Sequence, residues 1–172
     1  MKFLVSFFLG LFLFTFANEN INAQDITIIL LRHAEKDTSA GANKADPKLT
    51  AEGQKRAQRL VETVKKYQPQ QIFSTAFIRT RDTVTPLAEN LNPDYRLQIQ
   101  FYDYNELEEL AQKLLKLKVK SVVVVGHNTT TPELANLLIK QNKYKDLADD
   151  EYNKIFIIRI HGKKIEDKVI KY

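Results

Sequence analysis

A chain of 172 residues fits one domain and is long enough to bury a sizeable core. It contains no cysteine, which excludes disulfides, thiolate chemistry, cysteine-ligated zinc and a lipid anchor on a processed cysteine. The formal net charge of +5 suits an anionic small molecule or an anionic envelope surface. It is no argument for nucleic acid, because the lysine clusters at 113–120 and 163–171 lack interleaved stacking aromatics and read as solvated faces.

The chain opens with Lys2 and an apolar run from Phe3 to Phe16. That run is short of the roughly 20 residues a membrane span needs and fits the apolar region of a secretory signal peptide. Ala23 is the expected cleavage point, giving a signal peptide over 1–23 and one domain over 24–172. Cleavage removes Lys2 and Glu19, so the net charge is unchanged. The processed chain is expected to be exported, periplasmic or secreted, without a stable membrane anchor.

Ile26 to Leu31 is a continuous apolar run and reads as a strand buried on both faces. A long polar loop follows over 36–48, a candidate lid or binding loop. Thr50 reads as the N-cap of a helix whose inner face is Ala57, Leu60, Val61 and Val64, closed by Pro69. A short strand over Gln71 to Phe73 leads through Ser74 and Thr75 into a helix running toward Leu91. Pro86 should kink it or thin its first turns, and Pro93 closes it. Leu97, Ile99 and Phe101 alternate as in a half-exposed strand. Leu107, Leu110, Ala111 and Leu114 mark a further helix, and Ser121 to Val125 a second buried strand. Thr131-Pro132-Glu133 reads as a helix start with Thr131 as cap. Residues 153–160 and 164–170 read as strands of a C-terminal hairpin turning at His161-Gly162-Lys163. The alternation predicts a three-layer α/β/α fold with a mostly parallel central sheet.

In such sheets ligands bind beyond the carboxyl ends of the strands. Arg32 and His33 follow the first buried strand, and Gly126, His127 and Asn128 follow the second. Two imidazoles and an arginine therefore emerge into one crevice, a constellation that fits a phosphate site with a histidine nucleophile. A phosphate dianion wants planar bidentate donors, which arginine supplies better than lysine. Arg79, in the helix after Ser74-Thr75, is a second candidate. Ser74 and Thr75 fit two roles with the same hydrogen-bonding chemistry: donating to phosphate, or capping that helix. His161 borders a hairpin turn and reads as surface. Asn128 opens an Asn-Thr-Thr sequon, but a glycan there would block the crevice, so Asn128 is taken as a substrate-binding candidate.

These segments resemble, in order, those of the histidine phosphatase superfamily, related to phosphoglycerate mutases and bacterial phosphohistidine phosphatases. Leu31-Arg32-His33-Ala34-Glu35 resembles its Arg-His-Gly signature, with Ala34 in place of glycine. Leu49-Thr50-Ala51-Glu52-Gly53 resembles its Leu-Thr-x-x-Gly helix entry. Phe73-Ser74-Thr75 with Arg79, Thr80 and Thr83 resembles the segment carrying its second arginine, and Val125-Gly126-His127-Asn128 the segment carrying its second histidine.

The resemblance implies a phosphoglycerate mutase-like fold and a phosphatase for a small phosphorylated molecule. His33 would be the phosphorylated nucleophile, with Arg32, Arg79 and His127 completing the pocket; Ser74 and Asn128 are added as substrate-binding candidates on their own chemistry and place in the chain. No cofactor or metal is implied. Asp103, just past the third strand, is the candidate proton donor, with Glu35 and Glu106 as rivals; some members of the family lack a dedicated acid, so its absence is a further alternative. The leading expectation is a metal-independent phosphatase acting through phospho-His33 on an external monoester, such as a sugar phosphate or an envelope component. A phosphate-binding module without efficient catalysis is the alternative. A metal-dependent hydrolase using both histidines is disfavoured, because Arg32 would place positive charge beside the metal. Substrate and oligomeric state stay open.

Overall fold

The computed structural model describes residues 25–91 and 99–172. The expected signal segment, Pro93 and Leu97 lie outside the described residues. The elements in chain order are β1 (Asp25–Arg32), α1 (Ala51–Val64), β2 (Gln71–Ser74), α2 (Ile78–Leu91), β3 (Ile99–Phe101), α3 (Leu107–Leu114), β4 (Ser121–Gly126), α4 (Thr130–Ile139), β5 (Lys154–His161) and β6 (Lys164–Lys171).

The strands form one six-stranded sheet in the order β3-β2-β4-β1-β5-β6. Pairings β1/β4, β2/β4 and β2/β3 are parallel, and β1/β5 and β5/β6 antiparallel. β5 alone therefore runs against the other strands, and the hairpin brings β6 back to their direction. Strands buried on both faces need apolar residues at every position rather than at alternate ones. β1 and β4 supply them, with Ile28, Ile29, Leu30, Leu31 and Val122–Val125 all buried. On one face Leu60, Val61 and Val64 of α1 and Val84 and Leu87 of α2 pack against Ile29, Leu31, Val123 and Val125. On the other, Leu110 and Leu114 of α3 and Leu134 and Leu138 of α4 pack against Ile28, Leu30, Val122 and Val124. This is the three-layer α/β/α arrangement.

Helix entries follow local chemistry. Thr50 caps α1, its hydroxyl accepting from the Gly53 amide at 3.0 Å. Gly53 has a second reason to be glycine: a Cβ there would lie 2.3 Å from the Glu35 carbonyl oxygen. α2 continues through Pro86 as one helix, although proline cannot donate to the preceding turn. α4 begins earlier than its sequence signature suggests. Its N-cap is Thr129, without a side-chain cap bond, and Thr131 lies inside the helix with its hydroxyl donating to the Leu31 carbonyl at 3.2 Å. The cap signal was misplaced because that threonine serves packing onto β1 instead.

Candidate active site

Register builds the centre of the site. In the parallel pair β1/β4, Arg32 lies opposite Gly126, so His33 and His127 leave adjacent strands at the same level. Their ring centroids are 5.6 Å apart. The His33 amide donates to the Gly126 carbonyl at 2.9 Å and carries the strand pairing one step further. β2 is in register on β4's other side, with Ser74 opposite Val125. Thr75 therefore sits beside His127, and its hydroxyl meets His127 Nε2 at 3.2 Å. A side chain at Gly126 would collide with the Thr130 hydroxyl at 2.8 Å and the Tyr102 hydroxyl at 2.9 Å, so glycine lets the helix and the β3 turn close on this strand end.

His33 is buried and its tautomer is fixed. Its Nδ1 lies 2.7 Å from the Ala34 carbonyl, which can only accept. Nδ1 therefore carries the proton, and Nε2 keeps its lone pair. Burial foremost, reinforced by the positive charges of Arg32 and Arg79 and by neighbouring His127, pushes the His33 pKa down to about 3. His127 is pushed down to about 4, by burial first and then by Arg79, Arg32 and Lys36. Both rings are thus neutral near pH 7 in a field of cations.

Arg32 is held from the far side of the chain. Its Nη1 donates to the carbonyls of Ala148 at 2.8 Å and Glu151 at 3.3 Å, and its guanidinium lies 4.1 Å from the Tyr152 ring centre. Arg79 is the second residue of α2, at 3.6 Å from Asp46 of the long polar loop and 4.2 Å from the Phe77 ring centre. Asp46 also accepts from the Ile78 amide at 2.8 Å, fixing the start of that helix. The Nε of Arg32 and the Nε of Arg79 are buried without a protein acceptor. Two such donors converging with two histidines make a site for an oxyanion. Thr83 binds its halves together: its hydroxyl accepts from the Ala34 amide at 2.9 Å and donates to the Arg79 carbonyl at 2.7 Å.

These residues open into a cleft of about 310 Å³ whose walls include Arg32, His33, Arg79, His127 and Asn128. The remaining sequence candidates lie elsewhere. Ser74 is fully buried and donates to the Thr75 carbonyl at 2.8 Å, because strand alternation turns it into the sheet and sends the next residue toward the cleft. The Asp103 carboxylate accepts from the Asn105 amide at 2.9 Å and its side-chain nitrogen at 3.0 Å. With Glu106 it lines a separate surface depression beside α3. Glu35 forms an ion pair with Arg56 of α1 at 2.6 Å. His161 is half-exposed and pairs with Asp25 at 3.0 Å. The carboxylate that does line the cleft is Asp149, which the sequence reading missed along with Lys36, Phe77, Tyr104 and Tyr152. Among the described residues, no group of three or more histidine, aspartate or glutamate side chains is placed to hold a metal ion.

The family model of the histidine phosphatase superfamily (branch 1) matches residues 28–118, a stretch that holds Arg32, His33 and Arg79 and ends before His127. No curated protein sequence matches the chain. Solved structures share its architecture. A putative phosphohistidine phosphatase SixA from Agrobacterium tumefaciens superposes with a TM-score of 0.63 at 21% identity, covering 85% of this chain and 98% of the other. The protein histidine phosphatase SixA complexed with tungstate gives 0.66 at 14% identity, with coverage of 85% and 97%. A mycobacterial glucosyl-3-phosphoglycerate phosphatase complexed with VO3 gives 0.64 at 16% identity, with coverage of 86% and 98%. At these identities the likeness speaks for the fold.

Proposed function

The chain belongs to branch 1 of the histidine phosphatase superfamily and is a phosphoric monoester hydrolase, and from there we propose how and where it acts: without metal, through a phosphohistidine on His33, outside the cytoplasm. The observation that carries the mechanism is the buried His33 ring, whose Nδ1 proton is engaged by the Ala34 carbonyl at 2.7 Å. Its Nε2 is then a permanently available nucleophile, because a pKa of about 3 leaves the ring neutral at physiological pH.

The phosphoryl oxygens lie between Arg32 and Arg79, whose free Nε groups are planar charged donors. His127 flanks the same group. The cations that depress its pKa are the charges a phosphate dianion offsets, so substrate and a proton on His127 stabilise each other. Nε2 attacks phosphorus as the ester P–O bond breaks, and the leaving oxygen takes the bonding pair and then a proton from solvent. Water then attacks phosphorus and gives up a proton to solvent, the N–P pair returns to His33, and phosphate is released. One difficult displacement becomes two easier ones. Tungstate and VO3, which the two fold relatives hold, are oxyanions of the kind this pocket would accept.

Rapid quench with labelled substrate should trap an acid-labile, alkali-stable phosphate that disappears in His33→Ala and survives a chelator. Wild-type turnover in His33→Ala would sink the assignment. A second reading, a phosphate-binding module with little turnover, is favoured by one observation: Asp103, Glu35 and Glu106 all engage partners or surfaces away from the cleft. Measurable turnover of an aryl phosphate would eliminate it.

Export rests on the Lys2 start and the Phe3 to Phe16 run. Intact-mass measurement of protein from the native host should show loss of the segment near Ala23. Finding Met1 and Lys2 retained on soluble cytoplasmic protein would refute it.

A further inference from the structure

We propose that the substrate carries its phosphate on a flat aromatic ring, an O-aryl phosphate whose phenol is the leaving group, seated against Tyr104 and Phe77. This rests on the mechanism through His33 and narrows the substrate class of the same cleft.

Two independent observations meet here. The first is an aromatic wall. Phe77 and Tyr104 both line the cleft. Their ring centroids are 5.8 Å apart, and they lie 5.3 Å and 5.8 Å from His127, each nearly perpendicular to it. Phe77 is pinned beneath the Arg79 guanidinium at 4.2 Å. Tyr104 is 42% exposed, so its ring is accessible to a ligand in the cleft. The ring neighbours of His33 are instead His127 and Tyr152. In-line displacement sends the leaving group away from the nucleophile. Phe77 and Tyr104 border His127 on the cleft wall and have no ring contact with His33, so they stand apart from the nucleophile.

The second observation concerns protons. An alkoxide leaves poorly without a general acid, whereas a phenolate leaves unaided. The three carboxylates that the sequence offers as dedicated proton donors are committed elsewhere, Glu106 in a depression outside the cleft. Glu35 is clamped by Arg56, and Asp103 folds back on Asn105. Asp149 lines the cleft, but its charge bears on Arg32, at the phosphate end. A leaving group of low basicity removes the requirement. The P–O(aryl) bond breaks as Nε2–P forms, phenolate departs with the electron pair, and solvent protonates it. Water then returns His33 and releases phosphate.

The test uses the full chain with phenyl phosphate and glycerol 2-phosphate in parallel, and with vanadate as a probe of the phosphate pocket. The expected kcat/KM for phenyl phosphate exceeds that for glycerol 2-phosphate by about 10² or more, the contribution an acid would otherwise make. Tyr104→Ala should lower kcat/KM for phenyl phosphate by roughly 2- to 12-fold, the size of an aromatic pairing effect. It should do so with a smaller change for glycerol 2-phosphate and for vanadate inhibition, and Tyr104→Phe should restore the loss. Comparable kcat/KM on the two esters, or equal losses on both in Tyr104→Ala, overturns the inference while leaving the His33 mechanism standing. Failure to form phospho-His33 on either ester overturns both.

Discussion

The turns that leave β1 and β3 depart from the same edge of the sheet, yet they end differently. β1 lies in the middle of the sheet, hydrogen-bonded on both sides, and its end is buried under α2. Three polar atoms fix the turn: the Ala34 amide donates to Thr83, His33 Nδ1 to the Ala34 carbonyl, and the His33 amide to the Gly126 carbonyl. β3 is a three-residue edge strand, and its turn closes on itself through Asp103 and Asn105. A candidate carboxylate there satisfies the local turn rather than the distant cleft. A strand end becomes a site when neighbours over-determine it. At an edge, short-range hydrogen bonding decides where a side chain goes.

The largest test of that contrast lies at the arginines. Arg79→Lys keeps the charge but loses the planar fork. It should cost about 2–4 kcal/mol of transition-state stabilisation, by analogy with a lost oxyanion donor, read as kcat/KM, with vanadate inhibition weakening in parallel. Unchanged kinetics and vanadate affinity would put Arg79 outside the pocket. Next in size is Gly53→Ala. Its Cβ would meet the Glu35 carbonyl at 2.3 Å, so either α1 or the nucleophile turn must shift. Denaturant titration should show a loss of about 1–3 kcal/mol, the usual cost of overpacking. A stability equal to wild type would mean that this turn yields as readily as an edge turn does. The smallest effect is expected from Asp103→Asn, with less than about a twofold change in kcat/KM on aryl and alkyl phosphates alike. A selective loss of about 10²-fold or more on the alkyl ester would return Asp103 to catalysis and erase the contrast.

The parts of the site that were legible in the sequence had local reasons. Arg32, His33 and His127 sit at the ends of uninterrupted apolar runs, and Arg79 follows a short strand within one helix start. The Thr50–Gly53 entry to α1 could be read for the same reason, since cap and capped amide are three residues apart. What escaped was long-range or generic. Arg32 is oriented by carbonyls of Ala148 and Glu151, more than a hundred residues away, and every residue has a carbonyl to offer. Thr75 meets His127 only because β2 and β4 pair in one register. Phe77 and Tyr104 carry no local signal in the sequence, and it is the fold that places both beside His127. Ser74 was misread as a pocket contact by a single position, the distance over which a strand changes face.

The pairing of Arg32 with Gly126 also bears on how such a chain can vary in length. β1 and β4 act together as a ruler, with both histidines reading from the same mark. One residue inserted in either strand would move its histidine by a full step and turn the alternate side chains onto the opposite face. Away from Asp46, Ala148, Glu151 and Tyr152, which hold the two arginines, the polar loop over 36–48 and the segment over 140–153 carry no such measurement and can lengthen or shorten while the two rings keep their spacing. Insertions and deletions among descendants of this chain should therefore collect in those loops, and an engineer seeking to reshape the cleft would add residues there.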